Sequence, residues 1–122
     1  MMTDKQQRGA LGEQVAVDYL RQHGFIVMEC NYRIGKSEVD IIAQRDDEIH
    51  FVEVKTRKVG SMTTPEEAID ERKMRAMRRA ASAYLSMTDC MLEPRFSLVA
   101  IEVAGDDVVN LRFVEDIIEY GW

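Results

Sequence analysis

The sequence predicts an α/β domain built on a central mixed sheet. Two segments carry apolar residues at helical spacing, and five short runs bounded by turn residues have the character of strands. Along the chain these segments follow the order helix, three strands, helix, two strands. That order is typical of an α/β domain in which helices pack against one sheet, so we expect five strands flanked by helices.

The first half of the chain supplies one helix and three strands. Apolar residues between Leu11 and Leu20 recur at helical spacing, which predicts a helix over residues 8–23 that ends at His23-Gly24. Three strand-like runs follow, and a turn at residues 45–48 joins the last two. These runs are Phe25–Cys30, Ser37–Gln44 and Ile49–Thr56.

The second half supplies a long helix and a hairpin. Residues 58–64 have the composition of a loop, Thr64 suits a helix cap, and Pro65 suits the first turn of a helix that runs to about Ser86. Two strands then surround a turn at Gly105-Asp106-Asp107. They are predicted at Phe96–Ala104 and Val108–Val114.

Lys73 occupies an unexpected position on the long helix. At 100° per residue it projects from the middle of the apolar arc that is formed by Ile69, Ala76, Met77, Ala80 and Tyr84. An unpaired buried ammonium is costly, so Lys73 must extend to the edge of the core or meet an acid. We expect that acid on the sheet, among the carboxylates of Asp40 and Glu53.

Length and composition favour a single domain over residues 1–122, in an ordinary globular protein with 46% hydrophobic and 31% charged residues. No apolar run approaches the roughly 20 residues that cross a membrane. The polar N-terminal residues do not resemble a signal peptide, and Cys30 and Cys90 do not form a disulfide framework. We therefore expect a cytoplasmic protein with two free thiols and no membrane partner.

The net charge of −6 is unevenly distributed. Residues 55–79 contain eight basic and four acidic residues, whereas residues 93–122 contain two basic and seven acidic ones. Because salt confines each patch to a range of about 10 Å, an acidic protein can still present one basic face to a nucleic acid. The long helix also carries four arginines opposite its apolar arc, for which a solvated face is the simpler interpretation. They are Arg72, Arg75, Arg78 and Arg79.

The main chemical signal is an acid on one strand and a Glu-x-Lys on the next. Side chains alternate along a strand, so Glu53 and Lys55 share a face, and a hairpin would bring Asp40 beside Glu53. Two carboxylates suit Mg²⁺, which prefers oxygen ligands, and a nearby ammonium suits a phosphodiester. Residue types alone favour a second interpretation, in which the motif is the solvated face of an edge strand, because Asp, Glu and Lys are the commonest surface residues.

Ordered motifs extend across nearly the whole chain: Gly12-Glu13, Ala16, Tyr19-Leu20, Asn31-Tyr32-Arg33, Glu38 to Ala43, Phe51 to Arg57, Pro65, Glu67-Ala68, Lys73 and Ala80 to Leu85. In this order and spacing they resemble the YraN-like family of bacterial proteins. That family is similar in fold and motif to the PD-(D/E)xK nucleases, particularly the archaeal Holliday-junction resolvases and the restriction endonucleases.

The resemblance implies a restriction-endonuclease-like three-layer fold and a metal-dependent endonuclease. Asp40 and Glu53 correspond to Mg²⁺ ligands (with Mn²⁺ as a substitute), Lys55 to the catalytic lysine, and Glu13 to the first-helix acid that completes the metal site. Lys73 corresponds to a helix residue that reaches the active site. DNA, branched or otherwise structured, is the implied partner, and related resolvases act as symmetric dimers.

Two basic residues directly after the Glu-x-Lys, Arg57 and Lys58, are candidates to hold the DNA backbone through its phosphates. One residue departs from the family pattern, because Ser37 stands where glycine is usual before the Glu-x-Asp segment, so the local turn is expected to differ.

Two non-enzymatic interpretations remain open on the sequence. The first is a nucleic-acid-binding or protein-interaction module that keeps the nuclease fold without the activity. The second is a structural partner in a larger complex, which would use the acidic C-terminal hairpin and its end at Glu119–Trp122 as a docking surface.

Overall fold

A computed structural model describes residues 3–117, and of Asp4 and Lys5 only the backbone. The five strands form one sheet in the order β1-β2-β3-β4-β5. All neighbours are antiparallel except β3 and β4, which run parallel. The predicted mixed sheet and the α-β-β-β-α-β-β order are confirmed. The elements are α1 (Asp4–Gln22), β1 (Ile26–Ile34), β2 (Ser37–Arg45), β3 (Glu48–Lys58), α2 (Glu71–Thr88), β4 (Glu93–Ala104) and β5 (Asp107–Val114).

The two helices cover opposite faces of the sheet, which makes three layers. Leu20 of α1 packs with Val52 and Ile101 on one face, and Ala80 of α2 packs with Phe51 on the other. Each helix buries an apolar stripe and leaves a polar side outward, and within residues 3–117 no helix is long and apolar enough to cross a membrane. The expected three-layer α/β class is therefore confirmed.

The first helix begins four residues earlier than the predicted residue 8. Thr3 is its N-cap: its hydroxyl accepts the N–H of Gln6, and the Gln6 side chain accepts the N–H of Thr3 in return. This reciprocal capping box satisfies two donors that a helix start otherwise leaves free. The additional turn carries Gln7 and Arg8 into the region above the sheet.

The long helix predicted from Pro65 is two elements, so that prediction was wrong in its start. Thr64 does cap a turn, since its hydroxyl accepts the N–H of Glu67 at 3.3 Å, but that turn is a short 3₁₀ helix over Glu66–Ala68. Ile69 is extended, and Asp70 then caps α2 by accepting the N–H of Lys73 at 2.8 Å. Asp is a strong N-cap, so the chain restarts its helix there.

The strands are longer than the sequence predicted, mostly at their ends. β1 continues through Asn31 to Ile34, and β4 begins at Glu93 rather than at Phe96. Ser37 is the first residue of β2, while the left-handed residue of the preceding turn is Gly35 with φ 56°. Ser37 is not among the residues with positive φ, so its position in β2 does not require the conformational freedom of glycine. The segment 119–122, assigned above to a docking surface, lies outside the described residues.

Candidate functional site

Glu53 lies deep in the sheet and faces α2. Its neighbours Val52 and Val54 pack on the α1 side, which confirms the alternation expected from the sequence. Only 2% of the Glu53 surface is exposed, although a carboxylate is among the side chains least often buried. The alternative interpretation of a solvated edge strand is therefore wrong for Glu53, and β3 is the middle strand of the sheet.

Asp40 ends the pairing of β2 with β3. The two strands pair from Arg45 and Glu48 to Ile41 and Val52. One residue further, Oδ2 of Asp40 accepts the backbone N–H of Val54 at 2.8 Å. The carboxylate thus replaces a backbone acceptor, and the hairpin sets Asp40 beside the strand that carries Glu53, as predicted.

Lys73 of α2 meets Glu53 across the layers. Its Nζ lies 2.6 Å from Oε2 of Glu53, which confirms the expectation that this lysine would find an acid on the sheet. The pair is close but not aligned as a hydrogen bond, and within residues 3–117 Oε2 has no other donor. The lysine retains 30% exposure of its side chain, so the ion pair sits at the wall of an opening rather than in a closed core.

A cleft of about 290 Å³ collects these side chains. It brings together six of the seven residues singled out from the sequence, and the seventh, Lys58, is not among its lining residues. Arg8 and Glu38 also line it, and the sequence interpretation assigned no role to either. The complete lining is Arg8, Gly9, Glu13, Glu38, Asp40, Glu53, Val54, Lys55, Thr56, Arg57 and Lys73.

Glu13 reaches this cleft because α1 approaches β3 very closely at Gly12. A side chain added at Gly12 would place its Cβ 2.1 Å from Oγ1 of Thr56, so only glycine fits without displacement. The close approach sets Glu13, the next residue, over the end of β3. The packing of α1 on the sheet, rather than the local pattern of α1, places Glu13 at the cleft.

The electrostatics of the cleft show carboxyls held close together in a partly desolvated place. Burial raises the pKa of Asp40 above its usual value, although the Val54 N–H and the ammonium groups of Lys73 and Lys55 oppose the shift. Burial also raises the pKa of Glu13, and the neighbouring charge of Asp40 raises it further. A nearby cation would remove both penalties.

The donor set of the cleft fits a hard divalent cation. Asp40, Glu53 and Glu13 offer carboxylate oxygens, which are the ligands that Mg²⁺ and Mn²⁺ take. The buried Oε2 of Glu53 accepts no aligned hydrogen bond within residues 3–117 and has the Lys73 ammonium beside it, so a divalent cation at this atom would take the place of that ammonium.

A different trio of ligand atoms is more tightly grouped than those of the cleft. Among the described side chains, Glu48, His50 and Glu115 form a group whose ligand atoms all lie within 4.8 Å of one another. Arg95 and Arg45, however, already neutralise its two acids, at 3.1 Å and 3.5 Å. This cluster is a compact ion-pair network at the far end of β3, and the sequence offered no ligand spacing that would indicate it.

Comparison with known proteins identifies a family. Residues 12–101 match the uncharacterised protein family UPF0102. A UPF0102 protein of Alkaliphilus oremlandii is 44% identical over 91% of this chain and 81% of its own length. A UPF0102 protein of Desulfitobacterium hafniense is 43% identical over 88% of this chain and 90% of its own length. One of Porphyromonas gingivalis is 38% identical over 86% of this chain and 78% of its own length. The matched residues include every acid of the cleft.

Proposed function

The chain belongs to the UPF0102 (YraN-like) family, and on that premise we propose that it is a metal-dependent endonuclease that hydrolyses phosphodiesters of branched or otherwise structured DNA. The observation that carries the proposal is the buried carboxylate of Glu53, which faces a cleft shared with Asp40 and Lys55. Burying a carboxylate costs stability, and a neutral or apolar residue would serve the fold better at that position. The arrangement is explained if the carboxylate serves a ligand.

Each acid of the cleft has a role in this proposal. Asp40 and Glu53 would hold Mg²⁺ or Mn²⁺, and Glu13 would complete the set from the helix above them. Such a cation, when bound, supplies a water of lowered pKa and stabilises negative charge on the attacked phosphate.

The lysines act on the substrate side. Lys55 is half-buried at the cleft wall and forms no ion pair within residues 3–117, so its ammonium is available to position the attacking water or to stabilise the developing charge. Lys73 and Arg57 line the same cleft and would contact phosphates of the bound strand. These contacts position the DNA without reading its sequence.

The test is cleavage of branched and linear DNA of matched sequence in the presence of Mg²⁺ or Mn²⁺. We expect nicking or cleavage by the wild type, and a loss of at least about 100-fold in Asp40→Ala and Lys55→Ala, because each removes a group that acts in the transition state. Arg75→Ala is the matched control, since Arg75 pairs with Glu71 on the outer face of α2, away from the cleft. Equal cleavage rates in the wild type and the three variants would show that the assignment of the site is wrong.

A second candidate is a module that binds nucleic acid without cutting it. The observation in its favour is the Lys73–Glu53 ion pair, because an ammonium beside Oε2 already satisfies the buried charge that a metal would otherwise neutralise. Calorimetry separates the two candidates. Binding of Mn²⁺ that is lost in Asp40→Ala favours the nuclease, whereas salt-sensitive DNA binding without any metal binding favours the module.

A further inference from the structure

A second cavity of about 510 Å³ opens beside the cleft. It lies between the first turns of α1, the end of β3 and the turn that joins β4 to β5. Its lining residues are Gln7, Arg8, Leu11, Lys58, Gly105 and Asp106. Neither the catalytic assignment nor the family match gives this cavity a role.

Arg8 connects the two cavities, because it lines both of them. The end of β3 leads from the cleft to the second cavity. Arg57 and the residues before it line the cleft, whereas the next residue, Lys58, lines the second cavity. A ligand long enough to leave the cleft past Arg8 would therefore meet Lys58 next.

The cations of this region lack acidic partners. Within residues 3–117, Arg8, Lys55, Arg57 and Lys58 form no ion pair. By contrast, most arginines elsewhere on the sheet are paired with an acid at 2.7–3.5 Å; these are Arg33, Arg45, Arg95 and Arg112. In a chain with a net charge of −6, unpaired cations that line two adjoining cavities indicate a place for an external anion.

We propose that the second cavity is a subsite for the DNA strand that flanks the phosphodiester in the cleft. Arg8 would bind the backbone phosphate at the junction of the two cavities, and Lys58 the phosphate beyond it. The half-buried Leu11 offers an apolar contact to the sugar between them. This inference rests on the proposed function, to which it adds the path of the strand, a place for Lys58 on that path, and Arg8 as a phosphate-binding residue.

Asp106 gives the proposal an internal check. It is the acid that lines the second cavity, so it opposes the binding of phosphate there. Neutralising it without changing its size, as in Asp106→Asn, should strengthen DNA binding, whereas neutralising Arg8 or Lys58 should weaken it. A general loss of folding would weaken DNA binding in all of these variants. Tighter binding in one variant and weaker binding in the others would therefore reflect the charges that line the cavity.

The experiment measures binding of a fluorescent branched DNA to the full chain in EDTA, at several salt concentrations. We expect Arg8→Gln and Lys58→Gln each to lower the slope of log K against log salt by about 0.7–0.9 and to weaken binding about five- to tenfold. Asp106→Asn should tighten binding about two- to fivefold, on the same electrostatic ground. Arg8→Lys and Lys58→Arg should restore the slope because they restore the charge.

Arg21→Gln is the matched control, since Arg21 is an exposed arginine at the other end of α1 that forms no ion pair within residues 3–117. Thermal unfolding of every variant checks that each is folded. Identical slopes and affinities in Arg8→Gln, Lys58→Gln and Arg21→Gln would overturn the subsite. Tighter binding of an RNA of the same sequence would overturn the assignment to DNA.

A parallel cleavage assay keeps the two proposals distinguishable. If the wild type cleaves DNA and the two neutralised variants bind with unchanged slopes, the subsite is wrong and the nuclease stands. If the slopes fall as expected while no metal supports cleavage, the nuclease is wrong and the subsite stands as part of a binding module. Absence of DNA binding by the wild type overturns both.

Discussion

Lys73→Met should destabilise the metal-free protein far more than an ordinary surface substitution. The substitution keeps most of the side-chain volume but removes the ammonium that lies 2.6 Å from Oε2 of Glu53. Coulomb's law at that separation gives about 6 kcal/mol for an effective dielectric constant of ~20 and about 1.6 kcal/mol for one of ~80. The carboxylate is 2% exposed and the lysine 30%, so the pair lies between these limits. Breaking a buried pair typically costs ~3–5 kcal/mol, and we expect about 3 kcal/mol here.

The assay is urea unfolding in EDTA at neutral pH, with two comparison proteins. Arg75→Met breaks an exposed pair with Glu71 on the same helix, at 3.0 Å, and should cost no more than about 0.5 kcal/mol. Lys73→Met combined with Glu53→Gln should be more stable than Lys73→Met alone, because no unpaired charge is then left in the sheet. In thermal unfolding the single variant should lose roughly 10 °C.

Mn²⁺ should restore part of the loss in Lys73→Met, since a bound cation would neutralise the carboxylate that the ammonium leaves behind. The restoration should exceed any stabilisation of the wild type by the same concentration of Mn²⁺. The reasoning is refuted if the free energies of unfolding of Lys73→Met and Arg75→Met differ by less than about 0.5 kcal/mol. Glu53 would then not need a cationic partner.

Three further predictions concern packing and titration. Gly12→Ala should cost about 1–3 kcal/mol in urea unfolding despite a better helix propensity, because its Cβ meets Oγ1 of Thr56, and Thr56→Ala in the same chain should recover most of the loss. Glu66→Gln should cost about 1 kcal/mol at neutral pH, a value kept small by solvent screening. Hydrogen bonds from Arg112 at 2.7 Å and 2.9 Å hold the pKa of Glu66 below 4.5, so this difference should vanish as pH falls below that value; a constant difference would contradict it. Burial raises the pKa of Asp40 above 3.8, so the ionised carboxylate increasingly destabilises the folded protein as pH rises above that value. Asp40→Asn should therefore raise Tm near pH ~7 and leave it unchanged near pH ~3.

The core of the site could be predicted from the sequence because it depends on local geometry. Strand alternation decides that Glu53 and Lys55 face away from Val52, and a four-residue turn decides that Asp40 returns beside them. Lys73 could be found by the helical wheel, since an ammonium in an apolar arc needs a partner. Each of these inferences uses contacts within a hairpin or a helix, where spacing along the chain determines spacing in space.

The positions of Arg8 and Lys58 relative to the two cavities depend on contacts between residues that are remote in sequence. Arg8 reaches both cavities because α1 starts at Asp4 and descends onto β3 at Gly12. The capping pattern at Thr3 was a readable signal for that start. The approach of the helix to β3 could not be read from the sequence, since it depends on the contact of Gly12 with Thr56, 44 positions away in the chain. Lys58 was grouped with Arg57 because the two are adjacent, whereas in the structure Arg57 lines the cleft and Lys58 lines the second cavity.

The break between the 3₁₀ turn and α2 has a different cause. Thr64 and Asp70 are both good caps, and the sequence interpretation chose the first because Pro65 follows it. The structure uses both, with Ile69 extended between them. The later start matters for the site, because Lys73 is then in the first turn of α2, where its side chain can reach the wall of the cleft.

The residues that break local rules meet in one place. Gly12 lies inside a helix, Glu53 is a carboxylate in a buried strand, and Lys73 is an ammonium on an apolar arc. Asp40 takes over a hydrogen bond that a backbone carbonyl would otherwise accept, at the point where two strands part. Each feature costs stability by itself, and a sequence selected only to fold would distribute such exceptions or avoid them. These exceptions converge on one cleft, and cations without acidic partners within residues 3–117 extend from it to Lys58 in the second cavity. This convergence is the physical reason to seek a function there rather than at the cluster around His50, whose acids are paired with arginines.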